Sequence, residues 1–328
     1  MKFYFFILLS SICFSQSISF QIKDNLTNKG IEYVSIDLLN GKGFYSNEVG
    51  LVVADFLGEK TIELSHVSYE SKKINIDEIK AVVFLKQKTT QLNEVQLIQS
   101  NKKLYTTKDI EKLNSNANCN FGIYGFQIAT LIEVDDNMKY FLDELSIPIK
   151  VNNVLVGMSE DLEKPYSIIR IDFRNNINGF PSDTLIENSE FYFIDKKTLR
   201  KGFISHTLSN KIIIPKEGVF CTITFLGKAD ENGNLILENP TTISNYKDRE
   251  IVISKYLPID ISLYNDKGKP KTFSRSSFNK QSTFDRILPP ISVPAELTEN
   301  ERTEYFNKKA SEMENFKINI GYKLYYYE

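Results

Sequence analysis

From Ile18 to Ile98 the chain alternates apolar and polar side chains in short runs, each cut by a Gly or Asn turn signal. A repeat of two sends successive side chains to opposite faces of a strand and matches no helical stripe. The runs are Ile18–Ile22, Glu32–Leu39, Phe44–Ser46, Leu51–Phe56, Thr61–Val67, Lys72–Ile76, Ala81–Leu85 and Val95–Ile98. Turns fall at Asp24–Gly30, Gly41–Gly43 and Asn47–Gly50. Six to eight strands this short and this close predict two packed sheets, a β-sandwich.

Composition points the same way. Aromatic residues are 12% of the chain, all Phe and Tyr with no Trp, and such side chains favour a pleated surface. With 328 residues, 41% hydrophobic and 25% charged, the chain has material for two cores. Forty basic against forty-two acidic side chains leave a net charge of −2, which offers no footprint for nucleic acid or an anionic membrane face.

Residues 1–15 (MKFYFFILLSSICFS) read as a signal peptide. Lys2 precedes an apolar core, Phe3–Leu9, and Cys13 and Ser15 stand where a signal peptidase reads small residues, so Gln16 begins the mature chain. The apolar core is too short to span a bilayer, and no later stretch reaches the roughly eighteen apolar residues a spanning helix needs. Ile12 argues against lipidation of Cys13, because lipoprotein signals place a small residue there. The expectation is an exported chain located in the periplasm, at the outer-membrane periphery or outside the cell. Cys119 and Cys221 then allow one disulfide or two separate thiols.

Within residues 16–98, Ile22, Asp24, Thr27 and Gly30 make an opening strand and turn, and Tyr33-Val34-Ser35-Ile36 a next strand. Ser46–Leu51 is a polar turn ending in Gly before a strand, Ile62–Glu70 (IELSHVSYE) a strand running into a Tyr-Glu pair, and Leu92-Asn93-Glu94-Val95 a closing motif. In this order these motifs resemble the carboxypeptidase regulatory-like domain, a transthyretin-like β-sandwich common at the front of exported Bacteroidetes proteins, with Ser68 where the family has Gly. The resemblance implies a non-catalytic module without zinc ligands. Too few residues follow for the plug and barrel of an outer-membrane receptor.

Residues 99–120 read as a polar linker, with a short helix from an N-cap at Thr107 to Leu113. Residues 121–328 read as a larger, jelly-roll-like antiparallel β-sandwich. Its strands are Gly125–Glu133, Tyr140–Ile149, Ser167–Phe173, Glu190–Ile194, Gly202–Thr207, Lys211–Ile214, Val219–Leu226 and Ile251–Leu263. Asn175–Pro181 and Ser274–Pro290 read as loops, and Asp230–Asn234 as a turn. One helix is expected over Thr298–Phe316, with Thr298 and Glu301 as a capping box, before a last strand to Tyr327. This segment is also similar to an accessory sandwich module of Bacteroidetes surface proteins, through Arg170–Phe173, Asn178–Asp183 and Pro215–Phe220.

For chemistry the sequence offers little. His66 and His206 are the only histidines, and neither has a His or Cys at metal-ligand spacing. A Cys119–His206 nucleophile pair needs the fold to bring them together. Asp135 and Asp136 read as a solvated turn, and Asp230–Asn234 lacks the distal acid of a calcium loop. The Tyr322, Tyr325, Tyr326 and Tyr327 cluster could stack sugars, but alternation sends half of it inward. No catalytic, cofactor or metal set is expected. The reading is a binding or assembly module for an envelope protein or glycan, and its rival is a hydrolase or carbohydrate-binding accessory acting on envelope or dietary polymers.

Overall fold

The computed structural model describes residues 17–56, 58–88, 102–108, 119–134, 138–151, 166–238, 241–246, 249–254, 256–266, 271–278, 283–287, 298–312 and 315–327. Among the described residues strand accounts for 60% and helix for 8%, so the all-β sandwich class holds. The expected signal, the Leu92–Val95 motif, and Asp135 and Asp136 lie outside the described residues.

The first sandwich has seven strands: β1 (Ile18–Asp24), β2 (Ser35–Asp37), β3 (Gly43–Tyr45), β4 (Leu51–Ala54), β5 (Thr61–His66), β6 (Tyr69–Asn75) and β7 (Val82–Leu85). They form two sheets, ordered β4-β1-β7 and β3-β2-β5-β6, and β1 runs parallel to β7. The inward half of the alternation (Phe20, Ile22, Ile36, Val52, Ile62, Leu64, Val83, Leu85) closes one core. Asp24 ties the sandwich together. Its carboxylate accepts from the Gln87 amide, the backbone N–H groups of Thr27 (2.9 Å) and Leu26 (2.7 Å), and the Tyr69 hydroxyl (2.8 Å). Those bonds, the one from Gln87 first, hold its pKa well below the usual carboxylate range. Ser68 keeps negative φ, and its N–H donates to His66 Nδ1 (3.2 Å), so this turn is made without a left-handed residue.

The second sandwich begins at β8 (Lys102–Lys108), followed by β9 (Cys119–Ile123), β10 (Phe126–Ile132), β11 (Tyr140–Val151), β12 (Ser167–Ile177), β13 (Phe180–Leu185) and β14 (Glu190–Ile194). After α1 (Lys196–Lys201) come β15 (Phe203–Ile214), β16 (Val219–Lys228), β17 (Thr241–Tyr246), β18 (Arg249–Ser254), β19 (Tyr256–Asp266), β20 (Thr272–Ser276) and β21 (Asp285–Arg286). Helix α2 (Glu299–Glu312), β22 (Asn315–Ile318) and β23 (Gly321–Tyr327) finish the chain. One sheet runs β13-β12-β16-β10-β20-β21, with β14 also on β12. The other runs β22-β19-β11-β23-β8, with β15 on β11 and β9 on β19. Their facing sides share a core that includes Ile128, Ile169, Ile171, Phe173, Ile223 and Phe225 from one sheet and Leu142, Leu145, Ile147 and Ile204 from the other.

Several local expectations change. Thr107 does not cap a helix: it and Lys108 end β8, opposite Lys323 and Tyr322 of β23, and cross-strand pairing overrides the capping signal. Residues 109–118 lie outside the described residues. Asn175–Pro181 is a hairpin rather than a loop, with Asn178 (φ 54°) and Gly179 (φ 90°) supplying the two left-handed positions of a tight turn. The strands expected at Gly202–Thr207 and Lys211–Ile214 are one continuous β15. The expected Ser274–Pro290 loop contributes the end of β20 and β21. Helix α2 has its predicted cap, Thr298 donating to Glu301 from its backbone (2.9 Å) and its hydroxyl (2.6 Å). Cys221 is a free, buried thiol on the core face of β16, so no disulfide forms there. Burial pushes that thiol's pKa far up.

Candidate functional site

Two groups of charged and aromatic side chains stand out, and their surroundings differ. The first lies on β12. Alternation sends Ile169, Ile171 and Phe173 into the core, and it sends Arg170, Asp172 and Arg174 to the opposite face. That opposite face is also buried: Arg170 is 7% exposed, Arg174 3% and Asp172 0%.

Neighbouring strands extend this polar face. Thr224 and Thr222 of β16 stand beside Arg170 and Asp172, and Gln127 of β10 links Thr224 to Arg275 of β20. The Asp172 carboxylate accepts from Arg170 Nε (3.0 Å) and the Ser189 hydroxyl, and Arg174 Nη2 lies 4.0 Å away. Arg174 also donates to the backbone carbonyls of Ser182 (3.0 Å) and Asp183 (2.9 Å). Arg275 donates to Gln127 (2.8 Å), pairs with Asp183 and stacks over the Phe284 ring at 4.1 Å. Burial lowers the pKa of Arg174 to about 10. Burial also pulls on Arg170, but Asp172 and Tyr45 together outweigh it and raise that guanidinium.

The first sandwich covers one end of this face. Tyr45 of β3 is fully buried there, 5.2 Å from the Phe278 ring, and Tyr33 lies 4.6 Å from Phe191. Phe278 is slotted between two glycines, one from each sandwich. A Cβ at Gly43 would come within 2.4 Å of the Phe278 ring and of the Ile36 carbonyl, and one at Gly125 within 2.2 Å of that ring. His66 comes close enough for the charges of Arg170 and Asp172 to act on it. Burial, and after it the Arg170 charge, lowers His66 to about 4. His66 is therefore neutral at neutral pH.

The second group is open to solvent. Tyr166, just before β12, and Phe193 of β14 line a cleft of about 550 Å³ with Lys196, Lys197, Arg200 and Lys201 of α1. The two rings lie 5.7 Å apart, and the Asp230–Asn234 turn packs Gly233 against Phe193. Asp230 fixes that turn by accepting from the backbones of Asn232 and Asn234 (2.9 Å each) and the Asn234 amide (2.8 Å). Asp195 starts α1 by accepting from the Thr198 backbone and hydroxyl (2.7 Å each), which lowers its pKa. Gly202 (φ 76°) ends it. Two lysines in the first turn of α1 sit where helix electrostatics favours acids. Among the described residues no carboxylate forms an ion pair with Lys196, Arg200 or Lys201.

His206 contacts Glu190, whose other oxygen accepts from the Ser209 backbone (2.8 Å). This pair ties β15 to β14 across the rim of the two sheets, with Tyr192 edge-on to the imidazole. The backbone of Cys119 pairs opposite Leu263, while the side chain of Cys119 lies outside the described residues. The C-terminal tyrosines turn inward in part: Tyr322 and Tyr326 pack against the core. Among the described residues no three metal-ligating side chains converge.

Sequence reasoning passed over both groups. Arg170–Phe173 was legible as an alternating strand, but not that its polar side is covered. The signal for the cleft was Asp195-Lys196-Lys197-Thr198, a capped turn carrying cations. No protein-family model, curated protein or solved structure matches this chain.

Proposed function

We propose that this chain is a non-catalytic binding or assembly module of the cell envelope, exported by its N-terminal segment and working through the second sandwich. The observation that carries this reading is the make-up of the open cleft. Its lining is four cations, two aromatic rings and two carboxylates, of which Asp195 is occupied in capping α1 and Glu231 is exposed. Such groups recognise charge and ring faces. The buried charges of β12 support it too, because Arg170 and Arg174 are held by Asp172 and by the Ser182 and Asp183 carbonyls and face the first sandwich rather than solvent. The resemblance of residues 16–98 to the carboxypeptidase regulatory-like domain adds the envelope setting.

The test uses residues Gln16–Glu328 as bait against an envelope extract, beside an assay for degradation of envelope and dietary polymers. Specific recovery of an envelope protein or glycan without turnover is the expected result. Slow metal- or thiol-dependent degradation would overturn it in favour of a hydrolase.

A further inference from the structure

The geometry points to a binding site for an acidic oligosaccharide, with carboxylate-bearing sugar rings, in the cleft between α1 and the Asp230–Asn234 turn. This rests on the module reading and names the class of ligand. The cleft's volume, about 550 Å³, lies within the roughly 300–1,000 Å³ usual for small-ligand sites. Tyr166 and Phe193, half-buried with ring centroids 5.7 Å apart, both line the cleft, and Gly233 packs against the Phe193 ring. Aromatic faces of this kind take the C–H side of a sugar ring, whereas a polyanion without rings has no use for them. The exposed cations beside the rings include Lys196, Arg200 and Lys201, which have no carboxylate partner among the described residues. Their charge is therefore free to pair with a ligand.

The chain as a whole carries −2, so the attraction is local to this cleft and does not extend to a long, densely charged nucleic acid. Guanidinium and ammonium groups on one short helix, next to ring faces, fit a chain whose carboxylates recur at the spacing of sugar residues. Glu231, exposed in the lining of the same cleft, disfavours ligands that bring anions to every side.

The probe is oligogalacturonate, titrated calorimetrically into the mature chain at low salt, with neutral oligogalactan and polyglutamate of matched length as controls. Oligogalacturonate should bind at least ten-fold tighter than either control, and its affinity should fall as salt rises. Lys196→Glu with Arg200→Glu should abolish that binding with an unchanged melting temperature, since both side chains are exposed. Tyr166→Ala should weaken oligogalacturonate without changing the weak polyglutamate signal. Equal binding of polyglutamate, or no binding of oligogalacturonate, overturns the assignment and leaves the module reading to its own pull-down. Cleavage of bound oligogalacturonate would sink the module reading while the site stands.

Discussion

The polar face of β12 and the cleft beside α1 use similar side chains, arginine next to aromatic rings, in opposite ways. At the joint, Arg170 and Arg174 are buried, their charge is answered by Asp172, and Tyr45 and Phe278 seal the face. In the cleft, Arg200, Lys196 and Lys201 are exposed and without carboxylate partners among the described residues. A charge taken out of water must be compensated inside the protein or the fold fails, so buried charge reports on structure. An exposed, uncompensated cluster contributes little to folding and is free to meet a ligand. The contrast separates two functional candidates that the sequence makes look alike.

The largest effect that could break this comparison is at Asp172. Asp172→Ala strands the buried Arg170 guanidinium and takes the nearest carboxylate from Arg174, and should cost about 3–5 kcal/mol in urea unfolding. A loss below about 1 kcal/mol would mean that the face is wetter than described.

The next is pH. His66 is depressed from 6.5 to about 4, so the unfolded chain takes up a proton before the folded one does. Its contribution to stability is present above pH 6.5 and is lost as pH falls toward 4, by up to about 3 kcal/mol. Asp260 works the other way, because burial raises its carboxyl from 3.8 to about 6 and stability gains as it protonates below that pH. The difference between the native chain and His66→Gln therefore isolates the histidine, and a flat difference between pH 7 and 4 would contradict its burial.

Gly43→Ala comes third. The added methyl meets the Ile36 carbonyl and the Phe278 ring, and the backbone carbonyl cannot swing away. A loss of about 1–3 kcal/mol in thermal unfolding is expected. The smallest effect belongs to the cleft: Lys196→Ala and Arg200→Ala should each stay within about 0.5 kcal/mol by the same measurement. A larger loss there would make those cations structural and erase the contrast.

How much of this was legible in the sequence follows the range of the forces involved. Period-two alternation marked most strands, and the Thr298–Glu301 cap fixed the start of α2, because both are local. The Thr107 region misled because its conformation is set by β23, more than two hundred residues away in sequence. Asn178-Gly179 was a strong hairpin signal read as a loop. The alternation of β12 marks one of its sides as polar, and nothing within the strand announces that Tyr45 of the first sandwich will be buried over it. The cleft joins the start of β12, the end of β14 and the turn after β16, and only strand pairing places those three together.

Hydrogen exchange of residues 16–328, with and without oligogalacturonate, tests the central claim most directly. Added protection should fall on Glu190–Gly202 and Ala229–Leu235, while the amides of Arg170–Arg174 keep the rate they had without ligand. Protection centred on the β12 joint, or none anywhere, would contradict the division between charges that hold the fold and charges that bind.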